Sequence, residues 1–132
     1  MSTEKITLNI SAIDLANIDL LVENGFASNR SDLMKTAIKQ HLSNLDKETK
    51  QLILVEETEA AQNKKHWIFG IHRINSKTIK QHIDNNEHWS IVTYGMLIID
   101  SNVTLAEMRE CIEDIKVFGS IRANKDIKDY YK

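Results

Sequence analysis

The chain opens with a strictly alternating hexapeptide, "KITLNI" from Lys5 to Ile10, and then changes to a helical period that runs to Leu42 without a proline. Alternation puts Ile6, Leu8 and Ile10 on one face and Lys5, Thr7 and Asn9 on the other, the pattern of a strand with one dry and one wet side. A short strand with no second strand near it in sequence has unpaired N–H and C=O groups along both edges and is unstable alone. The missing partner is the strongest constraint on the fold.

The residues that follow are helical. Ser11 with Asp14 three residues on is a capping-box-like start, with Asp in place of the usual Glu. Leu15, Ile18, Leu21 and Val22 give the first helix an apolar stripe, and Asn24-Gly25 ends it in the left-handed conformation. After Phe26 and Ala27 comes "SNRSD", which predicts an N-cap at Asn29 with Asp32 as the reciprocal N3 residue; Ser28 is the alternative cap. A second helix then buries Leu33, Ala37, Ile38 and Leu42. Its start offers exposed backbone N–H groups with Arg30 beside them, a place where a phosphate can sit.

Strand, helix, turn, helix in about forty residues encloses little core as a monomer. Two copies that pair their strands antiparallel across a two-fold axis would satisfy the edges and close four helices over a ribbon. Lys5, Thr7 and Asn9 of both chains would then line a two-stranded ribbon of the size that enters the DNA major groove.

Residues 4 to 45 resemble the ribbon-helix-helix repressors of the Arc, MetJ and CopG type, especially the subgroup with a "G-[FY]-x-S-x-R-S-[DE]" connection, here "GFASNRSD" from Gly25 to Asp32. The resemblance implies an obligate dimer that binds double-stranded DNA. It places the base-reading positions on Lys5, Thr7 and Asn9, whose chemistry suits that role, since Lys donates to guanine, Asn pairs with adenine, and Thr offers a hydroxyl and a methyl. It places the phosphate clamp on Ser28, Asn29, Arg30 and Ser31, which would set register without reading sequence.

The formal net charge of −2 excludes a broad positive field of the kind that coats nucleic acid. Residues 1 to 45 carry four basic and five acidic groups, residues 46 to 61 two and five, and residues 62 to 132 eleven and nine. DNA binding must therefore come from placed groups. No apolar run of about 18 residues is present and no basic, apolar leader opens the sequence, so no membrane association and a cytoplasmic location are expected. A single cysteine, Cys111, agrees with a reducing compartment and reads as a small buried hydrophobe.

Residues 46 to 65 lack Gly and Pro and are rich in Glu, Lys, Gln and Ala. They read as a helical spacer, continuous with helix two or broken near residues 43 to 46, making its contacts through Leu52, Ile53 and Val55. In the remainder a weak repeat appears: "FGIHRIN" from Phe69, "YGMLIID" from Tyr94 and "FGSIRAN" from Phe118, with the aromatics 25 and 24 residues apart. Each is an aromatic, a glycine, four residues and an Asx suited to a turn or helix cap. Helical stretches follow, 76–86, 102–115 and 125–132. This predicts parallel strands joined by right-handed crossovers, about three βα units, with the glycines at close backbone approaches or bulges. The expected fold is thus α+β: a ribbon-helix-helix domain over 1–45, a helical spacer over 46–65 and a small α/β module over 66–132, the last for oligomerisation or effector binding.

His66, His72, His82 and His88 have no ligand spacing such as H-x-H, so no metal and no cofactor is expected. There is no phosphate-binding glycine loop, nucleophile motif or informative carboxylate pair, which argues against an enzyme. The leading expectation is a homodimeric transcriptional repressor, with tetramer formation or a protein or small-molecule effector acting through the C-terminal module. The alternatives are an antitoxin that neutralises a toxin through its C-terminal half, and a plasmid or viral control factor.

Overall fold

The computed structural model describes residues 3–132. The chain folds as two compact units, one ending at Ile53 and the other Leu54–Lys132.

In the first unit, α1 (Ala12–Glu23) and α2 (Arg30–Asn44) lie against each other. The Ser11 hydroxyl accepts the Asp14 N–H and so caps α1 as its spacing predicts. Its C-terminus closes through a pair of reverse bonds, Phe26 N–H to Leu21 C=O at 3.0 Å and Gly25 N–H to Val22 C=O at 3.1 Å. This motif needs a left-handed residue after the cap, and Gly25 supplies it at φ +84°. At α2 the Asn29 side chain accepts the Asp32 N–H at 2.8 Å. The return bond differs from the expectation: the Asp32 carboxylate takes the N–H of Ser28, not that of Asn29.

Two expectations for this unit are not met within one chain. Residues 3–10 join no sheet. The predicted buried stripes also remain wet: neither helix contains a buried residue, Leu21, Ile38 and Leu42 are exposed, and Leu15, Ile18, Val22 and Leu33 are only half-buried. Both departures have one physical cause, since a strand needs a second strand and a helix pair this small has nothing else to cover it.

A third helix, α3 (Asp46–Gln62), follows a one-residue break at Leu45. The predicted contacts at Leu52 and Val55 are corrected, as both are exposed. Its last turns belong to the second unit, where Ala60 is buried and Glu56 accepts from Lys116 at 3.3 Å. Small size at Ala60 and long polar reach at Glu56 make that contact.

The second unit is a three-stranded parallel sheet in the order β1 (His66–Ile74), β2 (Trp89–Ile99), β3 (Ile112–Arg122). The connecting helices are α4 (Ser76–Asp84) and α5 (Leu105–Cys111), and α6 (Lys125–Tyr130) follows β3. The helical stretch expected over 102–115 is cut short, because the chain re-enters the sheet at Ile112. A register shift at Trp89/Ser90 lets both Ile112 and Ile115 reach the core. One sheet face packs Ile74, Ile91, Leu97 and Ile99 against Ile79, Val103, Met108, Cys111 and Ile127 from the helices and their connections. Cys111 is fully buried, which pushes its thiol pKa up.

The repeat reappears as register. Phe69 pairs with Tyr94 and Tyr94 with Phe118; Gly70 pairs with Gly95 and Gly95 with Gly119. A Cβ on Gly95 would lie 2.2 Å from the Gly70 carbonyl oxygen, and one on Gly119 would lie 2.0 Å from that of Gly95. All three have positive φ. A side chain is therefore excluded twice over at the second and third positions. Of the Asx residues that end the repeats, only Asn75 caps with its side chain, accepting from Thr78 N–H. Asp100 instead accepts from Arg73 at 2.7 Å, and Thr104 takes over the capping of α5 in a full capping box with Glu107. The Asn124 amide donates to the Ser101 carbonyl oxygen.

The other sheet face carries four rows across β1, β2 and β3: Trp67, Val92, Lys116; Phe69, Tyr94, Phe118; Ile71, Met96, Ser120; Arg73, Ile98, Arg122. No acidic side chain belongs to these rows. The Phe69 and Tyr94 rings stack at 5.3 Å and the Tyr94 and Phe118 rings tilt at 6.1 Å.

Candidate nucleic-acid interface

The polar residues of the opening segment, Lys5, Thr7 and Asn9, are all exposed. So are the apolar residues that alternate with them, Ile6 at 78% and Leu8 at 63%. An isolated chain thus leaves both kinds of side chain in water. Apolar groups of this size left in water each forgo about 1.5 to 3 kcal/mol of burial. In an extended strand, covering Ile6, Leu8 and Ile10 would leave Lys5, Thr7 and Asn9 outward.

Ser28, Asn29, Arg30 and Ser31 come together where α2 begins, and the structure gives them different employment. The Ser28 amide and the Asn29 side chain are occupied by Asp32. Arg30 is gripped by Asp19 of α1 through two bonds, Nε to Oδ1 at 2.7 Å and Nη2 to Oδ2 at 2.8 Å. The hydrogen bond from Arg30 holds the Asp19 carboxyl below its ordinary range, and the same pair raises Arg30. The Arg30 and Ser31 N–H groups lie in the first helical turn, where no intrahelical acceptor can reach them. They remain the backbone donors suited to an anion, with the positive end of the helix behind them. Sequence reasoning misses Asp19. Its signal is faint, since Asp19 and Arg30 stand eleven residues apart across a turn.

Of the histidines, His66 and His82 flank Trp89 with ring centroids 4.0 Å away on either contact, and His82 Nδ1 bonds the Glu87 carboxylate. His72 and His82 line a small pocket with Trp89 and Thr78. Among the described residues no group of three or more His, Cys, Asp or Glu side chains converges as a metal would require. His72 Nδ1, His82 Nε2 and Thr93 Oγ1 are buried polar atoms without a hydrogen-bond partner. No helix among the described residues is long and apolar enough to cross a membrane.

The first unit is thus an alternating, exposed arm followed by two capped helices. The chain belongs to the ribbon-helix-helix transcriptional regulator family, whose sequence pattern matches residues 1–128. That match reaches far beyond residues 4 to 45, which carry the visible motifs, and takes in most of the second unit. No curated protein and no solved structure matches the chain. Membership implies a transcriptional regulator that binds DNA and dimerises.

Proposed function

We propose that the protein is a homodimeric, sequence-specific repressor that reads the major groove with an antiparallel ribbon formed by residues 5–10 of two chains. The observation that carries this reading is that Ile6, Leu8 and Ile10 are exposed to water and alternate along the chain with the exposed Lys5, Thr7 and Asn9. Pairing two such segments removes both the unpaired backbone and the wet hydrophobes, and it doubles the polar row into a readable surface. Arg30, Ser31 and the start of α2 then grip flanking phosphates and fix register. In this reading residues 1–45 bind DNA, 46–65 connect, and 66–132 form a regulatory module. The closed core of the second unit supports a folded regulatory module over an antitoxin tail that orders only on binding.

The test is a mobility-shift titration on DNA selected from a random pool. Asn9→Ala should lose discrimination between selected and scrambled sites by about 1 to 3 kcal/mol. Arg30→Ala should weaken both equally and lower the salt slope by about one charge. If the two variants behave alike, the division of roles is wrong.

A further inference from the structure

The weak repeat carries a second pattern that the glycine ladder does not use. Its outer copies end in Arg-x-Asn, Arg73 to Asn75 and Arg122 to Asn124, whereas the central copy ends in Ile-x-Asp, Ile98 to Asp100. Register sets Arg73, Ile98 and Arg122 side by side at the carboxyl ends of the three strands. Neighbouring strands lie about 4.8 Å apart, so the two arginines flank Ile98 with their backbones roughly 10 Å apart. Open α/β sheets bind ligands in a crevice outside the carboxyl ends of their strands, most often where the strand order reverses. The order β1-β2-β3 has no reversal. A cleft of about 680 Å³ nevertheless opens at this edge, on the side of Ile98, lined by Arg73, Arg122, Asp100 and the connections that follow β2 and β3. Its volume is that of a small-molecule site.

We propose that this carboxyl edge is the effector site of the C-terminal module and takes a small organic anion through a carboxylate or phosphate group. Charge selects the ligand class. Of the charged groups that line the cleft, two are guanidinium and one is carboxylate, which leaves a surplus positive charge. The neighbouring cleft shares Asp100 and Asn102, but it sets Lys77 and Lys80 against Asp84 and Asp100 and has no surplus. Arg73 meets Asp100 through Nη1 at 2.7 Å. A guanidinium carries five N–H donors in a planar fork, so the rest of it can meet a second oxyanion. Ile98 supplies an apolar floor between the two cations.

The walls of the cleft are fixed before any ligand arrives. The Asp100 N–H donates to the Ile74 C=O at 3.0 Å and ties the connection after β2 to β1. The Asn124 amide donates to the Ser101 C=O at 2.9 Å and ties the same connection to the chain after β3. An anion entering here has little backbone to order, which favours binding by a small ligand. The inference rests on reading residues 66–132 as a regulatory module.

The test titrates the full ¹⁵N-labelled chain with sodium phosphate in one series and sodium succinate in another, against sodium chloride at equal ionic strength. The amide signals of Ser101, Asn102 and Asn124 should shift and saturate in at least one series, and the series that saturates identifies the anionic group. Arg122→Gln should weaken that binding by about tenfold or more, the loss of a charge-assisted pair. Asp100→Asn, which removes the carboxylate of the lining and keeps an acceptor for Arg73, should tighten it; a merely structural Asp100 gives the opposite sign. Signals that move no further than in chloride, or that move equally in Arg122→Gln, would overturn the anion site and leave the regulatory reading of the module standing. Saturable binding that leaves affinity for the selected DNA unchanged would overturn the effector role and the regulatory reading, but not the anion site.

Discussion

The two units use similar apolar residues to opposite effect. In the first, helices of 12 and 15 residues contain no buried side chain. In the second, a helix as short as the seven residues of α5 buries Met108 and Cys111 completely. The difference does not lie in hydrophobicity, for Ile6, Leu8, Ile38 and Leu42 are as apolar as anything in the core. It lies in whether one chain contains both sides of the contact. Crossover connections bring α4 and α5 back onto their own sheet, whereas an isolated strand followed by two helices has no opposing layer. The first unit leaves its apolar side chains uncovered within one chain, as the proposed dimer requires; the second covers most of its own.

The harshest way to break that comparison is to damage the shared surface of the first unit. Leu8→Asp should abolish dimerisation and DNA binding outright, because a charge buried in a ribbon core has no partner. The second unit, with its own core, should keep its amide-exchange protection. Hydrogen exchange followed by mass spectrometry reads both halves at once, and loss of protection in β2 would show that the units are not independent.

Next in size is the glycine ladder, which concerns the second unit alone. Gly95→Ala and Gly119→Ala should each cost roughly 3 to 5 kcal/mol, since strain at positive φ is added to a collision with a neighbouring carbonyl. Gly70 has a similar φ of +114°, but nothing lies within 4 Å of its added Cβ. Gly70→Ala should therefore cost only about 1 to 2 kcal/mol. Chemical denaturation of the three variants checks the order, and equal losses would mean that φ alone sets the requirement.

The ladder also shows where the sequence is legible. The aromatic-Gly spacing of 25 and 24 residues predicts parallel strands in the second unit because each repeat carries its own partner and register. Capping at Ser11, Asn29 and Asn75 is likewise readable, being decided within three residues. Misreadings arise where a distant contact decides. Residues 112–115 have helical periodicity, yet the sheet claims them, and Thr104 caps α5 because that helix begins four residues later than the repeat suggests, leaving Asp100 to accept from Arg73, 27 residues away. The Asp19 grip on Arg30 is set by a contact across a turn in the same way, and so the helix start at Ser28 to Ser31 is legible as a cap but not as a set of bonds.

That grip gives a smaller expected effect in the first unit. Both partners are exposed, so the pair contributes little to stability, but in the proposed complex it would compete with a phosphate for the same guanidinium. Asp19→Asn should tighten DNA binding, and it should gain nothing once Arg30 is also replaced by Ala. Affinities of the two single variants and the double variant decide it; an equal gain with and without Arg30 would mean that the grip does not restrain that side chain.

The smallest effect returns to the second unit and to the polar atoms left unpaired in it. Burial, and then the neighbouring His66, lower the pKa of His72 below its ordinary 6.5. A base with a depressed pKa in the fold binds its proton more readily when unfolded, so stability rises with pH across this window. The contribution is complete above about pH 6.5 and is lost as pH falls below that value toward the folded pKa. Melting of the second unit should therefore soften between neutral and mildly acid pH, while the helices of the first unit, which offer only the exposed His41, should change less. Subtracting the curve of His72→Gln isolates the residue from His66, His82 and His88. If the two curves run parallel from about pH 7.5 to about pH 5.5, the unpaired Nδ1 finds a partner in solution, and the imidazole gives no handle for separating the units by pH.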